Sequence, residues 1–132
     1  MKKVVVAFMG IQFLFVFFLI NGVYSADTTA PMTIDKAKIL TDPGVFGTFA
    51  MFKLDHAWNQ LDSMTKQKAA QEVKDVFIAH QNKVAVDIYL TRGLSEKTDF
   101  FLRLHSYELI NNQNLITDLM ATTMGKYLVN ID

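Results

Sequence analysis

Apolar and polar positions alternate with a period of two in three stretches of this chain and with a period near 3.6 in two others. Residues 46–54 read FGTFAMFKL. Phe46, Thr48, Ala50, Phe52 and Leu54 fall on one face, and Gly47, Phe49, Met51 and Lys53 on the other. Bulk on both faces predicts a strand covered on both sides. Residues 84–91 also alternate, with Val84, Val86, Ile88 and Leu90 apolar and Ala85, Asp87, Tyr89 and Thr91 mixed. Arg92-Gly93 opens a tight hairpin connection, in which Gly93 can take positive φ. Phe100, Leu102 and Leu104 continue the apolar face, and Phe101, Arg103 and His105 the other. Between the first two strands, Asp55 can cap a short turn that includes Trp58. A helix follows over 63–81. Its buried stripe is Ala69, Val73, Val76, Phe77 and His80, and Lys66, Lys68, Gln71, Glu72, Lys74 and Asp75 form its wet side. A second helix over 107–124 turns Leu115, Ile116, Leu119, Met120 and Met124 inward, with Gly125 in the position that ends it.

The order β-α-β-β-α predicts an α+β fold, a ferredoxin-like sheet with two helices on one face, of the dimeric α/β-barrel type. Its last strand is either lacking or supplied by a short run over 127–131. Residues 34–40 (IDKAKIL) read equally as a helical turn or an edge strand. A single such sheet has one open face. Asp87, Tyr89, Phe101, Arg103 and His105, with Phe49 and Met51, would lie there. Apolar and convergent polar groups on one face imply that it is covered, by a second sheet in a dimer, or that it holds a ligand. Trp58 reads as a packing anchor between the first strand and the helix, the alternative being a cavity wall.

The first residues form a different pattern. Lys2 and Lys3 precede an apolar run over 4–20, broken only by Gly10 and Gln12, and then comes the polar NGVYSADTT. That is the layout of a secretory signal, cleaved after Ser25 or Ala26. The alternative is an uncleaved N-terminal membrane anchor. The predicted organisation is therefore 1–26 signal peptide, 27–44 linker and 45–132 folded domain. A secreted or periplasmic location follows, with no membrane association after cleavage. The chain carries 13 basic and 13 acidic side chains, so losing Lys2 and Lys3 leaves it slightly negative, with no basic field for nucleic acid. It has no cysteine, which excludes thiolate metal sites, thiol catalysis and disulfides.

Candidate chemistry is sparse. His105 shares a strand face with Arg103 and lies near Tyr89 across the hairpin, so these three are the candidate cofactor-binding residues. Imidazole can ligate haem iron, and a guanidinium can stabilise an anionic ligand. A structural hydrogen bond is the simpler role for His105. His80 closes a helix stripe, and His56 sits exposed at a helix start. No paired His/carboxylate motif at metal-ligand spacing, GxSxG, P-loop or GxGxxG occurs, so no catalytic or metal-ligating residue is assigned.

The wording of FKLDHAW at 52–58, TRG at 91–93, KTDFFLRLHS at 97–106 and TTMGKYL at 122–128 resembles the N-terminal half of chlorite dismutase-family haem proteins. The resemblance covers about residues 46–128. It implies a subunit of two ferredoxin-like halves in a higher oligomer. Haem b, its axial histidine and a distal arginine sit in the second half, where chlorite becomes chloride and oxygen. Other members make haem from coprohaem or have no settled activity. No haem-site residue carries over, and His105 and Arg103 are not equated with the family's haem residues, because they lie in the other half. By resemblance this is an exported chlorite dismutase-like domain linked to haem oxidoreductase chemistry. It is expected to be inactive and without haem on its own, acting as a homo-oligomer or with a partner supplying the second half. It would be a one-domain relative, half of a split protein or a truncated reading frame. The alternative is a non-catalytic exported binding or assembly domain that forms a sheet-to-sheet dimer.

Overall fold

The three alternating stretches become strands, and a fourth joins them. The computed structural model describes residues 33–131, so the signal peptide, its cleavage point and the alternative anchor lie outside the described residues. The elements are α1 (Lys36–Ile39), β1 (Phe46–Leu54), α2 (His56–Gln60), α3 (Ser63–His80), β2 (Ala85–Leu90), β3 (Phe100–Ser106), α4 (Leu109–Ala121), a 3-10 turn (Gly125–Tyr127) and β4 (Leu128–Ile131). The strands lie in the order β2-β3-β1-β4, each antiparallel to its neighbour. This is the ferredoxin-like sheet. Leu128–Ile131 pairs with Met51–Leu54, so the fourth strand is present and the expectation that it is lacking falls away.

Period two sorts the sheet. Val86, Ile88 and Leu90 stand opposite Leu104, Leu102 and Phe100, while Thr48, Ala50 and Phe52 complete the same face across β1. α4 packs on β1 and β3, and α3 packs on α4. Phe52, Leu102, Leu104, Leu115 and Leu119 are sealed between the layers, and Phe52 stacks on Phe100 with ring centroids 5.3 Å apart. Each such side chain contributes about 1.5–3 kcal/mol on leaving water. Trp58 takes the packing role. It is buried at the end of the sheet, its ring tilted against Tyr127 at 5.8 Å. Asp55 accepts from the Ala57 N–H, as a cap should.

The structure departs from the sequence reading in five respects. The connection between β2 and β3 is not a tight turn; it runs through residues 91–99 and is held by Thr91, whose hydroxyl meets both the carbonyl and the hydroxyl of Thr98 at 2.9 Å. Gly93 does have positive φ, at 84°. The expected linker over 27–44 belongs to the domain from Ile34 onward. Ile34 N–H donates to the Gln81 carbonyl, the following turn is helical, and Ile39 is completely buried.

The second helix is shorter than 107–124, because Thr122 leaves it and turns its hydroxyl to the Leu119 carbonyl at 2.7 Å. Gly125 does not end the helix through positive φ. A Cβ there would stand 2.3 Å from the Met120 carbonyl oxygen and 2.5 Å from that of Leu119, so close approach of backbone selects glycine. Finally, among the described residues β1 is covered on one face only, with Phe49 62% exposed and Met51 42% exposed.

Candidate functional site: the open face of the sheet

The face turned away from the helices carries the residues that the alternation placed there. Register aligns Asp87 with Arg103, Tyr89 with Phe101 and Ala85 with His105 across β2 and β3. Across β1, Gly47 faces His105, Phe49 faces Arg103 and Met51 faces Phe101. Phe49, Met51 and Tyr89 are exposed, as is Val129 on β4. Among them runs an aromatic row. Phe101 stacks on Tyr89 at 4.7 Å with an interplanar angle of 11°, and Phe49 tilts against Phe101 at 6.3 Å. Cross-strand aromatic pairs of this kind stabilise a sheet locally.

A polar cluster borders the row. Arg103 donates to Asp87 Oδ2 through Nε at 3.1 Å and Nη2 at 2.7 Å, and its guanidinium lies 5.6 Å from the centre of the Tyr89 ring. Lys36 of α1 bonds the other Asp87 oxygen and also donates to the Val86 carbonyl. Burial works to raise the Asp87 pKa, but the hydrogen bonds from Lys36 and Arg103 outweigh it and hold the carboxyl below its usual range. The Asp87 bond raises the already high pKa of Arg103. Asp87 is thus the hub of the cluster. The sequence placed it on this face without a role, and Lys36, 51 positions away, gave no signal of its pairing.

His105 sits beside this cluster and joins none of it. Its Nδ1 is buried without a hydrogen bond among the described residues, and its Nε2–Cδ2 edge lies over Gly47, 3.7 and 3.8 Å from where a Cβ would stand. The structural hydrogen bond expected for it is therefore not the arrangement found. Burial first, then Arg103, lowers its pKa below the ordinary histidine value. His80 instead pairs with Asp118 at 2.8 Å, while His56 is exposed.

The three residues proposed for cofactor binding do come together, but their arrangement does not fit a haem. One nitrogen of His105 is buried and the other lies against Gly47; Arg103 is closed onto Asp87; Tyr89 is stacked on Phe101. A haem site needs an imidazole nitrogen free to meet iron inside an apolar cleft. No group of three or more His, Asp or Glu residues that could hold a metal occurs among the described residues, and no helix among them is long and apolar enough to cross a membrane.

Two bonding arrangements away from this face also escaped the sequence. Asn112 of α4 is fully buried and donates to the Phe46 carbonyl at 3.2 Å and to the Thr48 hydroxyl at 2.9 Å. Glu72, assigned to the wet side of α3, accepts from the Thr123 N–H at 2.6 Å and the Thr123 hydroxyl at 3.1 Å.

No protein-family model matches the chain. Over 94 residues it is 42% identical to the chlorite dismutase of Ideonella dechloratans, covering 71% of this chain and 33% of that protein. The chlorite dismutase of Candidatus Nitrospira defluvii, solved in complex with imidazole, superposes with a TM-score of 0.72 at 36% identity. That match covers 74% of this chain and 41% of the solved one. A mutant of the same enzyme gives the same values. The chain thus spans 33% and 41% of the length of these relatives.

Proposed function

Since this chain belongs to the chlorite dismutase-like family and fits the N-terminal half of its members, we propose that it is an assembly half rather than a haem-bearing one. Its task is to present the open sheet face to a second ferredoxin-like sheet. Turnover of chlorite, the activity that the relatives' name denotes, then falls to a half other than this one. The observation that carries this reading is the row Phe49, Phe101 and Tyr89, an aromatic surface standing in water next to a polar cluster already closed on itself. Surfaces of that composition mark contact sites. We further propose that the domain is exported. N-terminal sequencing of the exported protein should begin at Ala26 or Asp27, and material still starting at Met1 would favour the anchor.

Haemin titration followed by an oxygen-electrode assay with chlorite tests the assembly reading. Weak binding is expected, unchanged by His105→Ala, with no oxygen evolved. Stoichiometric low-micromolar binding that His105→Ala abolishes would overturn it, and so would oxygen evolution by this chain alone.

The occupant of the open face is a second copy of this chain. Phe49, Met51, Tyr89, Phe101 and Val129 would together lose on the order of 400 Å² of apolar surface under a second sheet. With the polar groups around them, that approaches the roughly 800 Å² per partner of an ordinary stable interface. Each aromatic contributes on the order of 2 kcal/mol, which offsets much of the cost of association.

A further inference from the structure

His105 occupies the open face between Gly47 of β1 and Ala85 of β2. A neutral imidazole has one N–H to satisfy, and a protonated one has two. When the neutral ring carries its proton on Nε2, protonation places the second N–H on Nδ1, which is buried and has no acceptor among the described residues. Leaving a buried donor unpaired opposes protonation. The charges around the ring add to this. Arg103, two residues along β3, and Lys36 from α1 are both positive, and each lowers the histidine's affinity for a proton. Among the described residues the one nearby carboxylate, Asp87 on β2, pulls the other way, but both its oxygens are occupied by Lys36 and Arg103. Tyr89 brings an uncharged ring, and β1 brings only Gly47 and Phe49. In the free domain, water at the face can relax around a new charge. Under a second sheet it cannot.

We propose that His105 makes the association of two copies sensitive to acid, the dimer holding while the imidazole is neutral and weakening as it takes up a proton. The inference rests on the reading that a second copy covers this face. Its sign follows from linkage. A group whose pKa is lower in the assembled state than in the free one binds more protons when free, so falling pH favours the free state. Two histidines per dimer give a limiting dependence of about a hundredfold in the dissociation constant per pH unit. A smaller change is expected across a real titration.

Sedimentation equilibrium on the mature chain, at about pH 7.5 and about pH 5, bracketing the ordinary histidine titration, is the test. Circular dichroism at each pH separates dissociation from unfolding. The dissociation constant of the wild type should rise by at least about tenfold on acidification. In His105→Gln the ratio between the two pH values should fall below about threefold, whatever the absolute affinity. A wild-type dimer equally tight at both pH values would overturn the switch while leaving the docking face intact. A full acid response in His105→Gln would do the same. A monomer at the higher pH would overturn the docking reading and the switch together. Should His105→Gln fail to fold, the NMR titration of the His105 ring in the wild type decides instead. Its midpoint should fall as protein concentration rises, and a midpoint independent of concentration would refute the proposal.

Discussion

Glu72 stands among lysines and glutamines on the outer side of α3, yet its carboxylate holds the loop that follows α4. The Thr123 N–H is the main cause of its lowered pKa, with the Thr123 hydroxyl second and Lys68 and Lys126 assisting against the effect of burial. A folded-state pKa below the unfolded value means that its stabilising effect is present above the ordinary glutamate pKa. It is lost as pH falls through the lower, folded value. Glu72→Gln should therefore lower the urea midpoint at neutral pH and flatten its decline between about pH 5 and pH 3. A variant with the wild-type acid profile would remove Glu72 from this account. The same local thrift explains Gly125, where Thr122 Oγ1 accepts the Gly125 N–H at 3.0 Å and brings the backbone back over the end of α4. The contact of Glu72 with Thr123 depends on two helices meeting, and no local pattern in the sequence encodes that.

At the scale of elements, what could be read from the chain follows from its periods. β1, β2, β3 and α3 were legible because each carries alternation or a 3.6-residue stripe over enough positions, and the β-α-β-β-α order then left few topologies open. β4 was legible only as an option. Leu128–Ile131 is four residues long, and it is fixed by pairing with β1 rather than by its own pattern. α1 was ambiguous for a similar reason. Asp35 caps it through the Lys38 N–H, but its place in the fold comes from Ile39 entering the core and Lys36 reaching Asp87. The composition of the open face is legible in the alternation, whereas its bonding is not. The pairing of Asp87 with Arg103 depends on register, and the isolation of His105 depends on the glycine beneath it. If α1 is integral, Ile39→Ala should cost about 3 kcal/mol in urea unfolding, as for other fully buried aliphatic side chains. A loss near zero would return residues 34–42 to the status of a linker.

For the whole molecule, the two faces of one sheet have different fates. The helix side is closed by Phe52, Leu102, Leu104, Leu115 and Leu119, and the other side ends in Phe49, Phe101 and Tyr89. The relatives are longer than this chain, and the solved one superposes on 74% of it. The proposed role of the open face is to be covered by another sheet. Multi-angle light scattering of the mature chain at high micromolar concentration, beside Phe101→Asp, puts that proposal to the test. Phe101 is the middle ring of the row, and its loss should leave the helix-packed core standing. The expected result is a wild-type dimer or larger, and a folded, monomeric Phe101→Asp with unchanged circular dichroism. A wild-type monomer, or a Phe101→Asp variant that associates as the wild type does, would contradict it.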